Sequence, residues 1–327
     1  MSKPEEIYKE LKPNQFKKRP ILLATWPGPA STGIMLTEYL RTQLGTKAFA
    51  SIDMRLLYTP ESLIVKKGKL QGPTLPKSIF YYKLDPDIII FESDIQLSGK
   101  ENIFVLHTIL QVASHFQVSR IITFDTLPRL ESHTSPSVVF SACNSDSLIE
   151  TFKSFDIEPV KESLINGPTG LLPAIAMTKN IDAACLLVTA PAYAGLHWCP
   201  KASLALLKKI THIHKIVIDF KDIEKKVKES EQMFETIEIQ FNEQYPGILQ
   251  QKESVPNNNE ITDIFEHQDE IPGHIIVKIE ELFKSAEKDK GKVTELKTEL
   301  VRWELYNKHE KRFLDLFKKN NQGSDNP

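Results

Sequence analysis

The chain has 327 residues, and its 41 Lys and Arg side chains nearly balance its 43 Asp and Glu side chains, so the formal net charge is −2. This balance argues against a nucleic-acid-binding surface and against a polybasic membrane patch, because both need a clear excess of positive charge. The sequence also has no run of about 20 apolar residues that could cross a membrane.

The compartment is predicted from the start of the chain and from its cysteines. Residues 1–6 are polar and precede no apolar signal core. The three cysteines, Cys143, Cys185 and Cys199, are odd in number and form no Cys-x-x-Cys pair. We therefore expect a cytoplasmic protein that has neither nucleic acid nor membrane as a partner.

The first half of the chain alternates short apolar runs with amphipathic segments, which is typical of an α/β protein. Strands are predicted over 21–26, 47–52, 87–92, 120–125 and 137–143, and those at 21–26 and 87–92 are predicted to be buried. A helix that the hydroxyl of Ser31 or Thr32 could cap is predicted to run to about Leu44, and two more helices are predicted over 103–116 and 147–155. Segments 63–65 and 78–82 flank the basic turn 66–69 and predict an antiparallel excursion from the main sheet. We interpret the basic turn itself as a solvated loop.

The second half opens with a Gly/Pro turn at 166–170, which leads into a predicted helix over 171–179. The apolar run 183–189 predicts the last buried strand, a turn follows at 189–195, and a helix is predicted over 201–213. Strands of this continuously apolar kind, separated by helices, predict a mostly parallel sheet that is covered on both faces.

The character of the sequence changes after residue 219. Helically spaced apolar residues continue to the break at Tyr245-Pro246-Gly247. We predict an α/β domain over 1–246, a flexible polar linker over 247–273 and a C-terminal helical extension over 274–327. An apolar stripe from Val293 to Phe317 either packs against its own domain or contacts another subunit, and its width does not separate these alternatives.

Two loops, 166–173 and 189–195, each lie at the edge of a predicted α/β unit, and open α/β sheets bind ligands and partners at such a rim. The loop from Gly28 to Gly33, which we call the first glycine loop, follows the first predicted strand. It lacks the dinucleotide fingerprint, and Ile34-Met35 replaces the lysine and hydroxyl of a phosphate-binding loop. We interpret it as a tight strand-to-helix turn. The turn at 166–170 could bind an anion at a helix start, but its glycines more simply supply backbone angles.

No complete catalytic or metal-binding motif is present. His197, Cys199, His212 and His214 lack the spacing of a zinc site, so we predict neither a metal nor a cofactor. Cys199 precedes a helix start, which could lower the pKa of its thiol, but a packed thiol is the simpler interpretation. The carboxylates at predicted strand ends, Glu92, Asp94 and Asp125, could act as an acid or base, although capping roles are commoner. We assign no catalytic residue.

Three sequence motifs occur in an order that resembles the proteasome assembly chaperone family, the group of the second eukaryotic chaperone subunit and its archaeal and bacterial relatives. The motifs are Trp26-Pro27-Gly28 with Gly33, then 165–172, then Ala190-Pro191-Ala192-Tyr193 followed by 200–203. The resemblance covers about residues 20–240. It implies a Rossmann-like, phosphorylase/hydrolase-like three-layer sandwich, homo-oligomers and no catalytic residues.

The resemblance also implies a protein-binding role. Family members often dock on proteasomes through a C-terminal hydrophobic-Tyr-any tripeptide, whereas this sequence ends Asp325-Asn326-Pro327. We therefore expect protein partners, which could include a proteasome-like complex, to bind at the sheet rim or the C-terminal helices. The residues predicted to line the rim are Trp26, Gly28, Gly33, Asn166, Gly167, Thr169, Gly170, Pro191 and Tyr193.

The leading hypothesis is a non-enzymatic, oligomeric scaffold or assembly chaperone. The alternative is a protein that binds nucleosides, nucleotides or phosphate, or a phosphorylase- or hydrolase-type enzyme, with Gly28, Asn166, Gly167, Thr169 and Tyr193 around a rim pocket.

Overall fold

A computed structural model describes the fold of the chain. The described residues are 12, 15–60, 63–161, 163–195, 197–244, 249, 279, 282–283, 285–286, 292–302, 312–313 and 316. The chain divides into two compact units, Met1–Leu249 and Gln250–Pro327. The predicted linker 247–273 lies outside the described residues except for Leu249, and so does most of the first 14 residues.

The first unit is built on an eight-stranded sheet with the order β2–β5–β6–β1–β7–β10–β8–β9. Its strands are β1 (Ile21–Thr25), β2 (Lys47–Ser51), β5 (Ser78–Leu84), β6 (Asp87–Ser93), β7 (Arg120–Arg129), β8 (Val139–Cys143), β9 (Glu158–Pro159) and β10 (Asp182–Pro191). A separate hairpin consists of β3 (Val65–Lys66) and β4 (Lys69–Leu70).

The four central strands β6, β1, β7 and β10 run parallel, so their carboxyl ends meet at one edge of the sheet. Towards one side, β5 is antiparallel to both β6 and β2. On the other side, β8 is antiparallel to β10 and parallel to β9. The predicted α/β sheet is therefore confirmed as mostly parallel, with reversed strands outside its parallel centre.

Helices cover both faces of this sheet. They are α1 (Thr32–Leu44), α2 (Gly99–His115), α3 (Asp146–Lys153), α4 (Pro168–Ala176), α5 (Pro200–His214) and α6 (Lys221–Gln244). Short 3-10 turns occur at Pro29–Ser31, Met54–Leu56, Met177–Lys179 and Ala192–Ala194. None of the helices in the described part of the chain is long and apolar enough to span a membrane.

The alternation of side chains along β1 divides the interior into two cores. Ile21 and Leu23 face the core that α1, α3, α5 and α6 cover, whereas Leu22 and Ala24 face the core that α2 and α4 cover. Successive side chains of a strand point to opposite faces, so a strand that is apolar throughout must be buried on both. This pattern produces the three-layer arrangement.

Two local predictions made from the sequence are wrong. Ser31 or Thr32 was expected to cap α1 with its hydroxyl, but neither caps the helix through its side chain. The Thr32 hydroxyl instead bonds Thr126 Oγ1 at 2.8 Å, because β7 continues past β1 to reach it. The predicted excursion also differs, since Val65 and Lys66 pair within a separate hairpin while β5 pairs with β2 and β6.

The second unit has an apolar cluster of its own around α7 (Lys292–Arg302). Leu296 and Leu300, four residues apart on one helix face, are wholly buried and pack with Phe283 and Phe313. The described members of the predicted apolar stripe are thus buried within their own unit. The remaining stripe residues Trp303, Tyr306, Leu314 and Phe317 lie outside the described residues.

Candidate functional site

The loops predicted to form a rim meet at the carboxyl edge of the parallel strands. Gln96, which follows β6, donates a hydrogen bond from Nε2 to the Pro27 carbonyl at 2.5 Å. The same side chain lies against Gly167, where an added Cβ would be 2.7 Å from Gln96 Oε1. Gly167 also has a φ of +74°, which strongly favours glycine. The first glycine loop and the turn at 166–170 are therefore neighbours.

Asp125 joins the same two loops beneath the rim. Its Oδ2 accepts a hydrogen bond from Thr169 Oγ1 at 2.9 Å, and its Oδ1 accepts one from the Thr126 amide at 2.8 Å. A Cβ added to Gly28 would lie 3.9 Å from Oδ1. Burial raises the pKa of Asp125 in spite of these two hydrogen bonds. The carboxylate thus holds Thr169 in place while it is largely withdrawn from solvent.

Two further glycines of the predicted rim are needed because their surroundings leave no space for a side chain. A Cβ at Gly33 would be 2.5 Å from Thr25 Oγ1, and one at Gly170 would be 2.9 Å from the Ile165 carbonyl oxygen. Both distances are far inside van der Waals contact. These glycines allow the loops to pack against the strand ends, which supports the interpretation of tight turns.

The first glycine loop is also tied to the turn after β10. The Ala30 amide donates to the Gly195 carbonyl at 3.2 Å, and the Cys199 amide donates to the Ala30 carbonyl at 3.1 Å. Thr126 Oγ1 donates to the Pro29 carbonyl at 2.7 Å. Three loops that are remote in sequence therefore form one continuous hydrogen-bonded edge.

The far end of this edge is organised by Glu238 of α6, in a group that we name the Glu238 cluster: Glu238, Tyr193, His133 and Ser132. Glu238 Oε2 accepts hydrogen bonds from the Tyr193 hydroxyl at 2.5 Å and the His133 amide at 2.8 Å. The Ser132 hydroxyl donates a hydrogen bond to the same oxygen at 3.0 Å, and His133 Nδ1 lies 2.5 Å from it. The carboxylate therefore fastens α6 to the β7–β8 loop and to the Tyr193 turn.

The electrostatics of the Glu238 cluster follow from its contacts. Burial alone would raise the pKa of Glu238, but the hydrogen bonds from Tyr193, His133 and Ser132 outweigh it, so the pKa is lowered. Burial and the neighbouring carboxylate together raise the pKa of the Tyr193 hydroxyl, which stays a neutral donor. The Tyr193 ring also packs on Phe241 at 5.3 Å between centroids.

A small pocket lies beside this cluster. Lys201 reaches across it and donates from Nζ to the carbonyl oxygens of His133 and Thr134, at 2.8 and 2.9 Å. The described lining residues are His133, Ser135, Ser137, Pro191, Cys199, Lys201, Val227, Ser230, Glu231 and Phe234. Its one lysine is committed to backbone carbonyls, so the lining residues that the structure describes leave no unused lysine or arginine for an anionic ligand.

The other residues considered from the sequence have structural partners. Trp26 is only 3% exposed and packs on Phe91 at 5.4 Å, so its side chain lies in the core and not on the rim. Cys199 is buried, and burial raises the pKa of its thiol, which contradicts the lowered value that a helix start could have caused.

The carboxylates at the strand ends also have partners within the chain. Glu92 pairs with Arg41 at 2.7 Å, and Asp94 accepts a hydrogen bond from the Lys77 amide at 3.0 Å. His214 is partly buried near Arg120, and this burial together with the positive charge of Arg120 lowers its pKa to about 4. Among the residues that the structure describes, no group of three His, Cys, Asp or Glu side chains is placed to hold a metal ion.

Sequence reasoning missed Gln96, His133 and Glu238. Glu238 is 45 residues from Tyr193 and 105 from His133, on a helix with many other glutamates. Nothing in its local pattern separates it from those neighbours. Gln96 lies in a short loop and is recognisable only through its contacts with Pro27 and Gly167.

Known structures share this architecture. The archaeal proteasome activator PbaB of Pyrococcus furiosus has a TM-score of 0.56 and 24% identity, over 71% of this chain and 97% of its own. PbaA of the same organism, an archaeal homolog of a proteasome-assembly chaperone, has a TM-score of 0.56 and 17% identity over 72% and 94%. A proteasome-assembly chaperone homologue of Mycobacterium tuberculosis has a TM-score of 0.58 and 15% identity over 66% and 94%.

At these identities the three structures show a common fold. No protein with a curated description matches the chain. The sequence itself matches the PAC2 family over residues 22–238. This range contains the whole sheet apart from the first residue of β1, together with residues 221–238 of α6. The chain therefore belongs to the PAC2 family.

Proposed function

We propose that the chain is a non-enzymatic, oligomeric protein-binding scaffold of the assembly-chaperone type, which acts on a proteasome-like complex in the cytoplasm. Family membership supports this role, and so do the printed descriptions of the three solved structures as an activator or as homologues of an assembly chaperone. The odd number of cysteines fits the proposed compartment.

The observation that carries the proposal is that the carboxylates of the rim are occupied by hydrogen bonds to other residues of the rim. Both Asp125 oxygens accept hydrogen bonds from neighbouring threonines, and Glu238 holds a tyrosine, a serine and a histidine. A general acid or base needs a group that can exchange a proton with a substrate. Here the carboxylates instead fix the loops relative to one another, as a preformed binding surface requires.

Within the predicted rim, the residues divide into two roles. Gly33, Thr169 and Gly170 are packed and shape the edge, whereas Asn166 is exposed and can contact a partner. The neighbouring Leu164 is 88% exposed, and an exposed aliphatic side chain beside polar groups is common in protein-binding sites. We place the partner contact at Leu164 and Asn166.

Sedimentation velocity of the chain with purified proteasome α-subunits from the same organism tests this proposal. We expect a complex, and we expect Leu164→Ser with Asn166→Ala to weaken it about tenfold or more. The matched control is Val217→Ser, since Val217 is 93% exposed but lies in the loop before α6.

Two results would overturn the proposal: no complex with any α-subunit, or a large thermal stabilisation by a nucleoside, a nucleotide or phosphate. The second result would support the small-molecule alternative, because a ligand that binds the native state raises the unfolding temperature.

A further inference from the structure

The hairpin formed by β3 and β4 carries positive charge without any matching acid. Residues 63–77 contain four lysines and no Asp or Glu. Val65 pairs with Leu70 and Lys66 with Lys69, and the Gln71 amide continues the ladder to the Ile64 carbonyl at 2.8 Å. Side chains alternate between faces along a strand, so Ile64, Lys66 and Lys69 share one face of the hairpin. We name these three residues the basic face.

This basic face is open to solvent in the single chain. Ile64 is 57% exposed, and neither Lys66 nor Lys69 forms an ion pair with any residue that the structure describes. A two-stranded hairpin is marginally stable on its own in water. An aliphatic residue beside two neighbouring unpaired cations therefore suits a surface that carries an aliphatic side chain and negative charge.

The second half of α6 has that opposite pattern. Residues 229–243 contain five glutamates and no Lys, Arg or His. Glu235, Ile239 and Glu243 are spaced four residues apart, so they follow one face of the helix. All three are exposed, and Ile239 is 53% exposed. We name these residues the acidic stripe, in which an aliphatic side chain lies between two glutamates.

The two surfaces lie at opposite ends of one edge. The hairpin leaves the sheet between β2 and β5, whereas α6 is fastened to the turn that follows β10. Four strand spacings separate β5 from β10, which is about 19 Å at the usual spacing of about 4.8 Å. Both surfaces are exposed, so the basic face of a chain does not cover the acidic stripe of the same chain.

We propose that the basic face of one copy of the chain docks on the acidic stripe of a second copy. Ile64 then packs on Ile239, while the two lysines lie against the negative charge of the acidic stripe. The contact joins two different surfaces, so it is head-to-tail and builds a ring or a chain of copies. The inference rests on the proposed homo-oligomer and identifies the surfaces that form it.

A charge-exchange experiment on the full chain tests this contact. Sedimentation equilibrium compares the wild type with a hairpin variant, K66E with K69E, and with a helix variant, E235K with E243K. Each reversal places like charges opposite each other, and we expect the dissociation constant between copies to rise about tenfold or more. The matched control, K47E with K179E, reverses two exposed lysines elsewhere and should keep the wild-type mass.

The decisive sample is a mixture of the two variants. The hairpin variant has two acidic surfaces and the helix variant has two basic ones, so each should remain dissociated alone and the mixture should assemble. Circular dichroism checks that each variant is folded. Assembly of the mixture is a second control, because two misfolded variants would not assemble when mixed.

The outcomes separate this inference from the proposed function. Variants that keep the wild-type mass, or a mixture that does not assemble, overturn the proposed contact while the oligomer stands. A wild-type chain that is monomeric at all concentrations overturns both the contact and the oligomer, whereas binding to α-subunits is measured independently.

Discussion

Thr169 holds the turn at 166–170 against the strand ends through both its side chain and its backbone. Its hydroxyl donates to Asp125, and its carbonyl accepts from Thr123 Oγ1 at 2.6 Å. Removing the hydroxyl leaves a buried carboxylate oxygen without a donor, which is costlier than losing an ordinary surface hydrogen bond.

We expect Thr169→Val to lower the free energy of unfolding by about 1–3 kcal/mol, as measured by urea denaturation. Thr169→Ser keeps the hydroxyl and is the matched control, so it should lose clearly less. Equal stability of the valine variant and the wild type would show that the Asp125 bond is not important for folding.

Gly33 gives a second prediction at the scale of single residues. Gly33→Ala should destabilise the chain by about 1–3 kcal/mol, because the new methyl meets Thr25 Oγ1. Thr25→Ala removes that oxygen, so the double variant should lose less than the sum of the single changes. Gly72→Ala, where nothing lies within 4 Å, is the control. Strictly additive losses would contradict the proposed clash.

At the scale of single residues, the sequence allowed correct predictions where a residue type constrains the backbone. The loop containing Gly33 and the turn containing Gly167 were recognised as tight turns because glycine and proline report backbone geometry directly. The partners Gln96 and Glu238 could not be predicted, since side-chain contacts across many residues leave no local pattern. Trp26 was assigned to the rim from its position after β1, but its large apolar side chain is buried against Phe91.

Helix α6 is fastened to two loops through one side chain. Glu238 accepts hydrogen bonds from the β7–β8 loop and from the turn after β10. Apolar contacts of Ile223, Phe234 and Ile237 attach the helix to the core. The Glu238 cluster adds hydrogen bonds to these apolar contacts in the second half of α6.

We expect Glu238→Ala to cost about 1–3 kcal/mol and to increase amide hydrogen exchange in residues 229–244 and 130–138. Gln240→Ala, an exposed change on the same helix, should alter neither quantity. Unchanged exchange in the Glu238 variant would contradict the fastening role.

The contribution of Glu238 to the free energy of unfolding should decrease at low pH. The folded state lowers the pKa of Glu238, so its stabilisation is present above the unfolded pKa of about 4.3 and is lost as pH falls through the folded value. The difference in unfolding free energy between the wild type and Glu238→Gln should therefore shrink below about pH 4.3. A difference that grows as the pH falls would contradict this assignment.

The elements themselves were largely predictable from the sequence. Strands β1, β6, β7 and β10 are apolar on both faces, which only a doubly covered sheet explains. The direction of β8 was not predictable, since an apolar run has no direction and pairing with β10 is a tertiary choice. The basic turn was predicted at 66–69, but the pairing of the two short strands β3 and β4 with each other, apart from the main sheet, was not predictable from the local pattern.

For the whole molecule, we propose that the α/β domain, the linker 247–273 and the C-terminal extension are separate parts. A Glu-specific protease should first cleave the chain within 247–273, where four glutamates occur, and leave the first domain intact. Mass spectrometry of the early fragments measures this. Initial cleavage within the sheet or its helices would contradict the domain division.

Native mass spectrometry tests the central claim most directly, because it reports binding and chemistry together. The chain is mixed with proteasome α-subunits of its own organism, and the masses of the complex and of each released subunit are measured. We predict a complex of defined stoichiometry in which every subunit keeps its original mass. The absence of any complex, or a subunit mass altered by cleavage or modification, would contradict a protein-binding role without catalysis.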